Sequence, residues 1–211
     1  AAPDEIRASA VALPVEPGTK VRGLFEGLEM AFDEQARVTR VYRGAYRIET
    51  DPEGWDPLTA TWPPWHQARP EIRARVIDKD GTEHWLDPTT IGEYSSEDGD
   101  DLVYGDNRML RAPLPTLGPG AVVEYAITTR DTEPFFPAGQ VLSFRIDRAV
   151  PNLRTRVFVD APESLALRAV LVGLTGIEPT VQLTSGRRRT TFDIDRMIKS
   201  EEFESGRPPD A

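Results

Sequence analysis

At 211 residues with 39% hydrophobic content, the chain is long enough to bury a core and too apolar to stay disordered. A net charge of −10 repels phosphate backbones and anionic lipid surfaces, which argues against nucleic-acid and membrane-surface binding. With no cysteine, disulfides, thiolate metal sites and thiol nucleophiles are excluded together.

The opening "AAPDE" suits a mature end left after signal cleavage at a small-residue site, and suits an arbitrary boundary equally well. No apolar run approaches the roughly 20 residues that cross a bilayer, so no membrane insertion is expected. The first strong unit is a long hairpin, "KVRGLFEGLEMAF", a turn at "DEQA", then "RVTRVYRGAYRIET". In its second arm Val38, Tyr42, Tyr46 and Ile48 share a face with Arg40 and Gly44, while Arg43, Arg47 and Glu49 take the other. That alternation predicts a strand with one buried side.

The stretch "DPEGWDPLTATWPPWHQARP" follows, and Pro64 and Pro70 keep it from being a central strand, because proline donates no ladder hydrogen bond. "EIRARVIDKDGTEHWLD" is the clearest hairpin, with "DG" supplying the positive backbone angles of a tight turn. Its first arm places Ile72, Ala74 and Val76 on one face against Arg73, Arg75 and Ile77. An acidic loop, "SSEDGDD", leads to "LVYGDNRMLRAPL". Then "AVVEYAITTRD", "QVLSFRID", "NLRTRVFVD", "LALRAVLV", "TVQLT" and "RRRTTFDID" read as successive strands, with "TSGRRR" a turn. About a dozen strands with turn signals every eight to twelve residues predict an all-β fold, an antiparallel β-sandwich over residues 1–198. The remainder, 199–211, has charge, glycine and paired proline without period and reads as a linker-like tail.

Before the strand "AVVEYAITTRD" stand three prolines within nine residues. Pro119 and Gly120 make a tight corner there, Leu117 plugs the core ahead of it, and Tyr125 packs its ring inside with its hydroxyl on nearby backbone. This is the arrangement by which a tyrosine ties down a sandwich edge.

No catalytic constellation can be assembled. A Ser-His-Asp triad would need His66 or His84, and no G-x-S-x-G elbow presents a serine. H-E-x-x-H and the phosphate-cradling loop are both missing, so no cofactor and no metal ligand set is assigned. "DKDG" starts like a calcium loop, but its twelfth position is Thr89 rather than an acid. Glu97, Asp98, Asp100, Asp101 and Asp106 offer hard oxygens for a calcium ion if their loop folds back, or form a solvated loop. For recognition the best candidates are Trp55, Trp62, Trp65 and His66. Rings on such a proline-stiffened segment cap the sandwich, dock against a neighbouring domain, or stack on a ligand.

Two stretches carry a family likeness: "PWHQARPEIRARVIDKDGTEHWLDPTTI" and "YGDNRMLRAPLPTLGPGAVVEYAITTRDTEPFF". With a hairpin turning at DG and closing in LD-P, Asp106 before the R-x-L run, and L-x-P-G-x-x-V-E-Y-x-x-x-x-R-D, they resemble the N-terminal β domain of bacterial transglutaminase-like proteins, domain of unknown function 3857. The likeness is sharpest over residues 65–137 and rests on core and turn positions. It implies a β-sandwich similar to the N-terminal domain of zinc aminopeptidases, in secreted or periplasmic proteins, ahead of a papain-like catalytic domain. None of that domain's Cys, His and Asp has a counterpart here. The resemblance therefore implies a noncatalytic accessory module that partners a downstream transglutaminase-like domain and its polypeptide substrate. The alternative from the residues themselves is a freestanding carbohydrate- or peptide-binding domain with Trp62 and Trp65 as its platform.

Overall fold

The computed structural model describes residues 18–51, 56–95, 106–136, 141–144, 152–172 and 176–195. Among them run eleven strands: β1 (Val21–Phe32), β2 (Val38–Ile48), β3 (Leu58–Trp62), β4 (Glu71–Ile77), β5 (Glu83–Trp85), β6 (Gly92–Ser95), β7 (Arg108–Ala112), β8 (Val122–Arg130), β9 (Asn152–Pro162), β10 (Thr180–Thr184) and β11 (Arg187–Asp195). Eight form one sheet in the order β10-β11-β9-β1-β2-β8-β4-β5, and three form a second in the order β3-β7-β6. The fold is an all-β sandwich. No helix among the described residues is long and apolar enough to cross a membrane.

Period-2 burial builds the main core. Tyr46, Ile48, Ile72, Ala74, Val76 and Val123 from the large sheet meet Leu58, Ala60, Trp62, Leu110 and Ala112 from the small one. Ile48, Val76, Leu110 and Val123 are sealed from solvent, each burial contributing about 1.5–3 kcal/mol. The "DG" hairpin forms as its residues require: the Asp78 N–H donates to Thr82 O and the Gly81 N–H to Asp78 O, with Gly81 at φ +91°.

The structure departs from the sequence expectation in four places. First, β1 pairs with β9 in parallel, Leu28 beside Val157, so one junction of the large sheet is not antiparallel. Second, β2 is covered on both sides at its end rather than on one. Ala45 packs with Leu24, Phe25, Ile77 and Val122, and the buried Arg47 guanidinium donates to Glu49 at 2.7 and 2.9 Å. Third, the proline-bounded stretch holds a strand after all. Proline bars a central strand but not an edge, and among the described residues β3 is an edge, paired with β7 alone. β6 pairs with the other side of β7, Tyr94 opposite Met109.

Fourth, residues 141–144 and 165–172 form no strand. Leu165, Leu167, Ala169 and Leu171 nevertheless alternate inward, onto a second core of Leu28, Phe32, Val38, Val157, Val159 and Phe192. The alternation in "LALRAVLV" thus records extended chain lying on an apolar surface, a pattern that needs no ladder partner. A cavity of about 280 Å³ remains between that segment, Val141–Phe144 and the sheet.

Candidate recognition surface

The corner before β8 is built from three backbone bonds. Ala121 N–H donates to Gly118 O, which closes a turn with Pro119 second and Gly120 third, and Gly120 has φ +86° as that position demands. Gly120 N–H then donates to Ile48 O at 2.8 Å and Ile48 N–H to Ala121 O at 2.9 Å, stitching the corner to β2. Leu117 is half-buried against the main core.

Tyr125 follows a different course from the one expected. Its ring lies over Gly44, its register partner on β2, where an added Cβ would come within 2.4 Å of ring carbons. Its ring meets that of Tyr42, centroids 5.8 Å apart, and the Tyr42 hydroxyl donates to Glu26 at 2.9 Å. Burial pushes the Tyr42, Tyr46 and Tyr125 hydroxyls above the ordinary phenol range, so all three stay protonated donors. Glu26 and Thr155 are both buried here, with the Thr155 hydroxyl 3.5 Å from Glu26 Oε2.

The tryptophans do not act together. Trp62 ends β3 in phase with Leu58 and Ala60, so its indole belongs to the core and is 3% exposed. Trp65, beyond Pro63 and Pro64, is 53% exposed. Trp55 lies outside the described residues, as do Glu97, Asp98, Asp100 and Asp101 of the acidic loop.

His66 is buried beneath Trp65, with ring centroids 4.2 Å apart, and also meets Phe135 at 5.1 Å. Phe135 in turn contacts Trp65 at 5.4 Å and Phe136 at 4.5 Å, and both phenylalanines are exposed. Trp65, Phe135 and Phe136 therefore form one exposed aromatic patch over an imidazole wedge. The phenylalanines were missed in the sequence because "EPFF" follows a strand without any period of its own, although paired aromatics behind a proline were a visible signal.

Asp131 supplies the patch with a rigid base. Its carboxylate, 1% exposed, accepts from Val38 N–H at 3.2 Å, Arg40 Nη1 at 3.0 Å and Gln67 Nε2 at 3.1 Å. One side chain thus joins the start of β2, the end of β8 and the Trp65 loop. Thr132 N–H donates to His66 O at 2.8 Å, carrying the tie onward to the segment that bears Phe135.

Beside Trp65 opens a groove of about 640 Å³, floored by Trp62 and rimmed by Glu93, Asp106, Asn107 and Arg108. Glu93 accepts from Arg69 and from Arg108, each at 2.9 Å, and these guanidinium groups hold its carboxyl below the usual range. The rim is thus already ion-paired and polar, suited to binding rather than to proton transfer. His84 sits elsewhere, at the β4–β5 hairpin, with Nε2 2.8 Å from Asp78. Among the described residues no serine or threonine hydroxyl bonds either imidazole, and no three His, Asp or Glu side chains gather as a metal cluster.

Comparison with known proteins agrees with this architecture. A family model described as "Domain of Unknown Function with solved-structure structure (DUF3857)" matches residues 34–198. No curated protein matches the chain. Among solved structures, a "putative protease" from Parabacteroides distasonis superposes with a TM-score of 0.79 at 14% identity, covering 91% of this chain and 38% of its own. An M1 zinc metallopeptidase from Deinococcus radiodurans gives a TM-score of 0.40 at 13% identity over 82% of this chain and 39% of its own, too loose to carry inference. This chain thus spans well under half the length of either protein.

Proposed function

The chain belongs to the DUF3857 family, and from that premise we propose that it is a noncatalytic accessory module of a larger extracytoplasmic bacterial protein. In this reading it positions a transglutaminase- or protease-like catalytic domain, or that domain's polypeptide substrate. The observation that carries the proposal is the exposed patch of Trp65, Phe135 and Phe136 on the Asp131 base. Exposed, pre-positioned aromatics concentrate binding energy at interfaces, because they bury large area with little loss of side-chain freedom. The Parabacteroides likeness supports it, since there the same fold accounts for 38% of a longer chain.

The test is binding between this chain and the neighbouring catalytic domain of its parent protein, produced separately, followed by titration calorimetry and hydrogen exchange. Replacing Trp65 and Phe136 by alanine should weaken binding at least tenfold, and protection on complex formation should centre on Trp65 and residues 132–136. Binding that survives the double replacement, or protection confined to another face, refutes the assignment.

The groove beside Trp65 favours a second reading, a carbohydrate or peptide ligand held by one ring and the polar rim. It differs from the two-tryptophan platform because Trp62 belongs to the core. Under this reading Trp65→Ala and Asn107→Ala each abolish ligand binding, whereas under domain docking Asn107→Ala is silent.

A further inference from the structure

The two edges of the large sheet are treated differently. At one end β5 is three residues long and guarded, with Glu83 bonded to Arg75 and His84 to Asp78. Short, charged strands are how β proteins prevent edge-to-edge pairing. At the other end β10, Thr-Val-Gln-Leu-Thr, has no charge, no proline and no bulge, and every residue is exposed. A two-residue turn at Ser185 and Gly186, both at positive φ, fixes it to β11 in register, so this edge is preformed. Val181 and Leu183 lie on the core side, 54% and 62% exposed. Among the described residues, β10 has a strand on one side only.

The order of residues in β10 says what fits there. Read backwards, Thr-Val-Gln-Leu-Thr keeps its pattern: threonine at both ends, an aliphatic residue at each inner place, glutamine at the centre. We infer that β10 pairs antiparallel with the β10 of a second copy of this chain, about a two-fold axis at Gln182, so that two eight-stranded sheets become one. In that register Val181 faces Leu183 of the other copy, Thr180 faces Thr184, and the glutamines face each other. Each is a favourable cross-strand pair, and no charge meets its like in the new ladder.

The neighbouring strand tolerates the arrangement. Leu183 is paired with Arg188 and Val181 with Thr190 on β11, so the row that crosses the axis runs from Arg188 of one copy to Thr190 of the other. Arg189 does face its own counterpart, but three strand spacings away along the row, roughly 14 Å at the usual strand separation, and each is bonded to Asp160. A heterologous peptide would use the same backbone groups but would gain nothing from this symmetry. A five-residue edge alone is smaller than a standard interface, so the association is concentration-dependent.

Sedimentation equilibrium of the 211-residue chain reads this directly, with the apparent mass expected to rise from 23.5 kDa toward twice that value as concentration increases. Val181→Lys and Leu183→Lys should each hold it at the monomer mass, with circular dichroism and melting temperature confirming that the fold is intact. Because the chain has no cysteine, introduced thiols report the register. Gln182→Cys should give a disulfide-linked pair under mild oxidation. Thr184→Cys alone should give none, its mate lying roughly 14 Å away at about 3.4 Å per residue, and should cross-link only when mixed with Thr180→Cys. A constant monomer mass up to about 0.5 mM, growth past the dimer, or equal cross-linking at 182 and 184 overturns the inference.

Discussion

Replacing Asp131 by alanine tests the idea that one buried carboxylate holds the aromatic patch in place. Three donors lose their acceptor: Val38 N–H, the Arg40 guanidinium and the Gln67 amide. Hydrogen bonds to a charged group contribute about 1.5–3 kcal/mol each, less what water restores to Arg40, which keeps some exposure. Val38 N–H cannot be rescued in that way, because Val38 is fully enclosed in the second core. Breaking a buried ion pair on one side costs about 3–5 kcal/mol, so a loss of about 3 kcal/mol in urea unfolding is expected for Asp131→Ala. Asp131→Asn keeps one acceptor oxygen and should lose about half as much. Because Asp131 is also the bridge to Gln67 and His66, exchange at the Thr132 and Glu133 amides should quicken beyond what global destabilisation explains. A loss below 1 kcal/mol, or exchange that rises evenly over the whole chain, refutes the reasoning.

Gly44→Ala should destabilise by about 2–3 kcal/mol, since the new Cβ falls 2.4 Å from the Tyr125 ring and Tyr42 and Tyr46 flank that ring. In a Tyr125→Ala background the same change should be neutral or slightly stabilising, and a double-mutant cycle by urea unfolding reads the coupling. Trp62→Ala should cost about 3–5 kcal/mol of stability while Trp65→Ala stays within about 0.5, and thermal melts distinguish the two. Acid titration should reveal Asp193. Hydrogen bonds from Arg154 and Arg156 hold its carboxyl at about 2, against an unperturbed 3.8, so its stabilisation is complete above about pH 4 and lost as pH falls through about 2. Solvent screening keeps the effect to about 1 kcal/mol or less, and Asp193→Asn should flatten that part of the stability–pH curve.

Where a signal is local, the sequence carries it. The "DG" turn, the β1–β2 hairpin and the Pro119–Gly120 corner each follow from a few adjacent residues with one conformational demand. The parallel pairing of β1 with β9 joins residues some 130 apart, and nothing local marks it, because a strand's alternation is the same whichever way its neighbour runs. Trp62 is a milder case. Its burial follows from counting by twos from Leu58, but the surrounding prolines masked the strand on which the count depends. The recognition surface was half legible, through Trp65 and His66. Phe135 and Phe136 join them only because the end of β8 returns beside the Trp65 loop, a meeting made by Asp131 across 64 residues to Gln67.

That parallel junction also sets a schedule for the protein's synthesis. β1 and β2 can zip together as soon as residue 48 leaves the ribosome, but the other side of β1 has to wait for β9, more than a hundred residues later. Throughout that interval Leu28, Met30 and Phe32 stand on an open strand whose backbone invites any passing partner. The topology therefore leaves the β9 side of β1 without its native partner for longer than any hairpin in the fold, and faster delivery of β9 shortens that interval. The exposure ends when β9 docks.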